Sequence, residues 1–254
     1  MVSVPEEPAM TVLHAFELEG LRRAGSLVAS ILTTMREAAV PGAVSRDLDA
    51  IGAAMLREAG ARSAPQLTYD FPGATCISIN AIAAHGIPDA TVLHEGDLIN
   101  IDVSAELDGY FADTGGSFVI GAPNATQQKL LDATLEARDT AIAQLRAGNL
   151  INSIGRTVEG VAAKRGLRVI RNLGSHGVGR ALHEAPGNIP GYYDPRDTRR
   201  LHEGMVITVE PFLATHCTQT DEGADGWAMR CRRGFAAQFE HTVVVTSGEP
   251  IIVT

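Results

Sequence analysis

Residues 93–102 read LHEGDLINID, and residues 201–210 read LHEGMVITVE. The first four residues are identical, a strand-like stretch follows in each, and both copies end on a carboxylate, Asp102 and Glu210. Further on, Asp113 opens DTGGSFVIG and Glu240 opens EHTVVVTSG, each leading into a β-branched or aromatic run and then Gly121 or Gly248. Each half of the chain thus brings one carboxylate at a strand end and a second on the next strand. Four carboxylates gathered by a duplicated fold repel one another unless cations lie between them. The repeat therefore predicts a metal site on an internal pseudo-two-fold.

Working outward, the stretch 98–118 reads as a hairpin, with Asp108-Gly109 as a favoured two-residue turn. With that turn at the centre, Leu107 faces Tyr110 and Asp102 faces Gly115. Asp113 then shares a face with Asp102, one diagonal step away, and a slip of one residue would part them. Asn100, Asp102 and Ser104 form a polar face opposite Ile99, Ile101 and Val103, a pattern expected of a strand lining a cavity. TCISIN (75–80) reads as another strand, and 61–74 as a loop.

Helical spacing runs from Glu17 to Val40 through Leu18, Leu21, Val28 and Met35 until Pro41-Gly42. A second helix is expected from a cap at Ser45 to Gly60. Asn124, with Gln127 at the capping-box position, predicts a helix through Leu131, Leu135, Ile142 and Leu145. Another runs from about Ser153 to Arg165, ended by Gly166. PGAVSRDLDAIGAAMLREAG and AGNLINSIGRTVEGVAAKRG align at Gly42/Gly148, Leu48/Ile154 and Gly60/Gly166. The order is helices, then a hairpin, twice over: an α+β fold with a curved, mainly antiparallel sheet, helices on one face and the site on the other. A flexible lead is expected over 1–10 and a single domain over 11–254, with halves of about 11–121 and 122–254.

Composition bounds the function. The chain has 254 residues, 45% hydrophobic and 20% charged, ordinary for a globular protein. Its net charge of −9 argues against gripping nucleic-acid phosphates or anionic lipid. Cys76, Cys217 and Cys231 are odd in number and widely spaced, which indicates neither a zinc ribbon nor a disulfide scaffold. No apolar run reaches membrane-spanning length, and MVSVPEEPAM is acidic, unlike a signal peptide, so a reducing cytoplasm is expected.

Histidines add to the carboxylates: His85 in AHGIP, His176 in SHGVG and His183 in LHEAP. Imidazole with carboxylates suits Zn²⁺, Mn²⁺, Fe²⁺ or Co²⁺, and a close pair of such ions suits hydrolysis of peptides and esters. Other residues carry plainer readings. Asp108 is turn chemistry and Asp97 a solvated loop residue. His94 and His202 precede the strands, His14 and His216 have no motif around them, and His241 is expected to pack on the face opposite Glu240.

The segments TCISINAIAAHGIP, INIDVSAELDGYFADT, SHGVGRALHEAP, EGMVITVEP and QFEHTVVV occur in the order and approximate spacing of the type I methionine aminopeptidases, and the chain resembles that family from its first helix onward. The resemblance implies the pita-bread fold, shared with aminopeptidase P, prolidase and creatinase. It implies removal of N-terminal methionine from peptides and nascent proteins, by a metal-bridging hydroxide that attacks the first peptide carbonyl. Two divalent ions (Co, Mn, Fe(II) or Zn) would be held by Asp102, Asp113, His176, Glu210 and Glu240, with Asp113 and Glu240 bridging. Glu210 would also take the water's proton, and His85 and His183 would contact substrate or the tetrahedral intermediate. Phe71, Cys76 and Trp227 look like counterparts of the methionine pocket. The partners implied are peptide and nascent-protein N-termini, including those at the ribosome, acted on by a cytoplasmic monomer. The chain departs from the pattern at Ala112, at Gly115-Gly116, at Leu182 and in the loop 65–75.

Two other readings stand beside this one. A proline-directed peptidase, like aminopeptidase P or prolidase, keeps the fold but usually carries a sizeable extra N-terminal domain. A metal-free binding module of this fold would be expected to lose ligands, whereas all five are present.

Overall fold

In the computed structural model, residues 9–254 are described. The expected lead over 1–10 falls mostly outside them; Met10, however, is buried, and its N–H donates to Glu184 Oε1 at 2.6 Å. Helix α1 spans Ala15–Ala38, with Leu21, Val28, Ile31 and Met35 on its buried face. Its start is closed by Glu17, whose carboxylate accepts from the N–H groups of Leu13 and His14 at 2.9 and 3.1 Å. Helix α2 spans Ser45–Glu58 and buries Leu48, Gly52 and Leu56. Its N-cap is Val44 rather than Ser45. The Ser45 hydroxyl instead donates to the Asp89 carbonyl at 3.0 Å and accepts from the Asp89 N–H, which ties the helix start to another loop.

The stretch expected to be a loop, 61–74, holds a short strand, Arg62–Ser63, and helix α3, Ala64–Tyr69. The Ser63 hydroxyl caps that helix by accepting from the Gln66 N–H, and Pro65 sits in the first turn, where its missing N–H costs nothing. Six residues are too few for a period to show.

The hairpin pairs Leu98–Leu107 with Tyr110–Val119 in the expected register: Leu107 opposes Tyr110, Asp102 opposes Gly115, and Ser104 opposes Asp113. Asp108 (φ 53°) and Gly109 (φ 81°) form its turn with positive φ at both centres, as a type I′ turn requires. Cys76–Ile79 pairs on the other side of the first strand, with Cys76 opposite Asp102. The polar face of this hairpin is largely buried, with Asn100 and Ser104 under 7% exposed, so it does not simply line an open cavity. The second half of the chain covers it.

That half opens with α4, Ala125–Ala143, capped as expected by Asn124 and Gln127, and α5, Asn152–Lys164. Its counterpart of the hairpin is interrupted. Val206–Val209 and Phe212–Ala214 are separate strands around Glu210-Pro211, and Ala236–Gln238 and His241–Val244 around Phe239-Glu240. Proline has no N–H for a ladder, and each break falls at a carboxylate. The pairings within both halves are antiparallel. One core lies between α1, α2 and the first hairpin, and another between α4, α5 and the second half's strands. Leu182 packs in the first core.

A third small core joins Ala83, Ala84, Ile170, Phe212, Met229 and Cys231 under the long 215–235 connection. There Met229–Arg230 pairs with Ile82–Ala84, and Cys217 is disulfide-bonded to Cys231. Spacing in the sequence did not indicate that bond. The fold brings the two residues together by doubling the connection back.

Candidate metal centre

The halves meet along a seam in which side chains replace a regular ladder. The Thr242 hydroxyl accepts from the Asp113 N–H at 2.9 Å and donates to the Asp113 carbonyl at 2.8 Å. Thr114 Oγ1 donates to the Glu240 carbonyl at 3.0 Å, and the Glu240 N–H donates to the Gly115 carbonyl at 2.9 Å. These bonds hold Asp113 and Glu240, one from each half, at the same point of the pseudo-two-fold.

Asp113, His176 and Glu240 each offer a ligand atom within 4.8 Å of the others, and all three are buried. Glu210 joins them through His176, whose Nε2 lies 3.3 Å from Glu210 Oε1 and 3.9 Å from Asp113 Oδ2. Asp102, opposite Gly115 and one diagonal step from Asp113 on the same face, is close enough to add its repulsion to the burial that raises the Asp113 pKa. The structure thus gathers all five carboxylate and imidazole groups expected from the sequence.

The imidazole is oriented for ligation. His176 Nδ1 lies 2.9 Å from the Gly177 carbonyl, which can only accept, so Nδ1 carries the proton and the Nε2 lone pair faces the carboxylates. Thr208 Oγ1 accepts from the His176 N–H and donates to Glu210 Oε1 at 2.8 Å, coupling the two residues.

The electrostatics call for cations. Burial pushes Asp102 up to about 6. Burial and then the neighbouring carboxylates push Asp113, Glu210 and Glu240 well above the usual carboxylate range. Among the described residues, Asp113 Oδ1 and Glu240 Oε1 are the buried side-chain atoms without a hydrogen-bond partner. Two such oxygens, one from each half, are a costly arrangement unless a cation pairs them. The donor set, oxygen with one imidazole, suits a divalent ion.

His183 and His85 lie beside this cluster. The rings of His176 and His183 are 3.9 Å apart between centroids. Desolvation, then the His176 and His85 imidazoles, holds His183 below the usual imidazole range, although its exposed surface limits how far. His85 has φ 56°, a conformation an L residue rarely adopts, and burial lowers its pKa. Of the expected pocket residues, Phe71 and Trp227 meet edge to face at 5.1 Å. Cys76 lies across from Asp102, its thiol pushed up by burial and then by the nearby carboxylates. His241 packs away from the cluster and hydrogen-bonds Thr254, and Asp97 is not simply solvated but accepts from Asn80 Nδ2 and the His94 N–H.

Sequence reasoning missed three residues. Gln238, fully buried, hydrogen-bonds both Asn100 and Glu240. Its place two residues before Glu240, on the same face of an extended chain, was the available signal. Glu184 accepts from Met10, Arg180 and Ala181 N–H groups and so fixes the turn that carries His183. Tyr69 hydrogen-bonds His183, and nothing in its local sequence announced it.

The model of metallopeptidase family M24 matches residues 19–247. The chain belongs to metallopeptidase family M24. Within it, the chain groups with the type I methionine aminopeptidases: it is 46% identical over 240 residues to a methionine aminopeptidase of Staphylococcus epidermidis, covering 94% of this chain and 96% of that one. The crystal structure of a methionine aminopeptidase from Thermotoga maritima superposes with a TM-score of 0.92 at 29% identity, covering 96% of this chain and 99% of that one. The prolidase from Pyrococcus horikoshii matches at a TM-score of 0.75 and 22% identity, with 95% of this chain spanning 62% of that one, and so shares the fold alone. The M24 chain has the pita-bread fold of these proteins. Among its described residues, no helix is long and apolar enough to cross a membrane.

Proposed function

We propose that the buried cluster of this M24 metallopeptidase holds two divalent ions and uses them to remove methionine from the N-termini of peptides and proteins. The chain is a metal-dependent methionine aminopeptidase, a hydrolase. The observation that carries the reading of the site is the pair of unpartnered buried oxygens, Asp113 Oδ1 and Glu240 Oε1, set against His176 where the halves meet.

In this reading Asp102, Asp113, His176, Glu210 and Glu240 would hold the ions, with Asp113 and Glu240 shared between them, Asp102 serving one, and His176 and Glu210 the other. The identity of the metal, among Co, Mn, Fe(II) and Zn, is set by availability as much as by these donors. Bound ions supply polarisation of the scissile carbonyl and a water acidic enough to attack at neutral pH. Glu210, at the edge of the same cluster beside His176, would accept the attacking water's proton. His183 would donate to the carbonyl oxygen as negative charge develops on it, and His85 would contact the substrate or the tetrahedral intermediate. The free α-amine is received beside the carboxylates, which restricts cleavage to the first residue. Phe71 and Trp227 enclose the leading side chain, and Cys76 flanks it; their apolar and polarizable character suits a thioether.

The same reading puts a monomer in the cytoplasm, acting on nascent N-termini at the ribosome. A metal-free module is disfavoured, because it leaves two buried carboxylate oxygens with nothing to pair. A proline-directed peptidase is disfavoured by 46% identity to a methionine aminopeptidase over 240 residues against 22% to the prolidase.

The test is kcat/KM across Met-Ala, Met-Leu, Leu-Ala, Ala-Pro and N-acetylated Met-Ala peptides. Met-Ala is expected to be cut best, with leucine in the first position slower and the acetylated peptide uncut. Preference for Ala-Pro would overturn the methionine reading, and cleavage of the acetylated peptide would overturn the role of the amine.

A further inference from the structure

Tyr69 is the last residue of α3, which ends where Asp70 takes a left-handed conformation with φ 55°. Its hydroxyl lies 2.7 Å from His183 Nδ1, and the two rings are 5.5 Å apart between centroids and tilted by 56°. His183 also packs against His176. The imidazole is therefore held between a metal-site histidine and a phenol that comes from the other half of the chain. Burial pushes the Tyr69 hydroxyl pKa up, so it keeps its proton at every working pH.

We propose that Tyr69 is a positioning residue that fixes the tautomer and the ring orientation of His183. The tyrosine hydroxyl donates to Nδ1, which leaves the ring's proton on Nε2, the atom free to donate to a substrate carbonyl oxygen. A hydroxyl can also accept, but then Nε2 would present a lone pair to that oxygen and repel it. Donors aimed in advance at developing charge stabilise the transition state more than the ground state, so the effect falls on kcat. The proposal rests on the role given above to His183 as an oxyanion donor.

Tyr69→Phe keeps the ring and removes only the donor. Turnover of a Met-Ala peptide is expected to fall about tenfold, the scale of one lost orienting hydrogen bond, with KM and metal content little changed. In histidine-¹⁵N spectra of the metal-free protein, the His183 Nδ1 resonance is expected to move as its hydrogen bond is lost. In a double-mutant cycle, Tyr69→Phe should cost nothing further in a His183→Ala background. Unchanged turnover, an unmoved Nδ1 resonance, or a full additional loss in the double variant would each overturn the proposal. If His183→Ala itself retained full turnover, the reading of His183 would fail and the proposal with it. If only Tyr69→Phe were silent, the proposal would fail alone.

Discussion

Gln238 Nε2 donates to Glu240 Oε2 at 2.8 Å, while Gln238 Oε1 accepts from Asn100 Nδ2 at the same distance. One buried amide thus joins the first hairpin to a carboxylate of the second half, and holds that carboxylate with its other oxygen free. Gln238→Leu removes this support without adding charge. Metal affinity is expected to weaken roughly 10–100-fold, as when other outer partners of metal ligands are lost. Calorimetric titration of the chelated protein with Mn²⁺ checks it; an unchanged dissociation constant would mean that Gln238 only packs.

Gly115 is one of the departures from the family pattern, and the structure explains it. A Cβ there would sit 2.5 Å from Gln238 Oε1. Gly115→Ala should displace the amide and reproduce part of the Gln238→Leu defect. Because both act through one contact, the double variant should bind metal no worse than Gln238→Leu alone. Additive losses would separate the two effects.

The raised carboxylates set a sign for stability against pH. An acid whose folded pKa lies above its unfolded value binds more protons folded, so stability falls as pH rises through that interval. Asp102 contributes this fall between about 4 and 6. His176 opposes it there, since its folded value is lowered from 6.5 to about 4 and its contribution grows as pH rises through that window. Once pH is well above the unfolded imidazole value of about 6.5, His176 is neutral in both states and no longer opposes the fall from Asp113, Glu210 and Glu240, which are held well above the ordinary range. Metal-free protein should therefore lose Tm as pH rises through the range in which these carboxylates ionise, and the Tm gained on adding Mn²⁺ should grow over the same range. A metal-induced gain that did not depend on pH would contradict the assignment of these groups.

Trp227 meets Phe71 edge to face, and its loop is held by pairing of Met229–Arg230 with the strand before His85. Trp227→Ala should lower kcat/KM for Met-Ala peptides roughly tenfold while sparing metal content, from the lost aromatic contact and enclosed area. Assays of both quantities separate a pocket residue from a merely structural one: loss of metal would point to the latter.

Much of this was legible locally. Asp108-Gly109 pins the hairpin register, and register alone puts Asp102 and Asp113 on one face. The repeated LHEG segments reveal Glu210 as the partner of Asp102, and the segments DTGGSFVIG and EHTVVVTSG reveal Glu240 as the partner of Asp113. Features that depend on the docking of the halves were not legible. The alternation at Asn100, Asp102 and Ser104 describes a polar face but does not tell that Gln238 and Glu240 cover it. The hairpin of the second half, interrupted at Pro211 and Phe239-Glu240, reads as continuous in a β-branched sequence. Helix α3 is too short for a period, so Tyr69 reaches His183 across 114 residues with no local sign.

The central claim is that buried carboxylates from both halves act through divalent metal. The most direct measurement is methionine release from a Met-Ala peptide by protein stripped with a chelator and then titrated with Mn²⁺ or Co²⁺, with bound metal counted alongside. The stripped protein should be inactive, and activity should return as up to two ions bind per chain. Asp113→Asn or Glu240→Gln should impair both ions, and His176→Ala mainly one. Full methionine release by the stripped, metal-free protein would contradict the account.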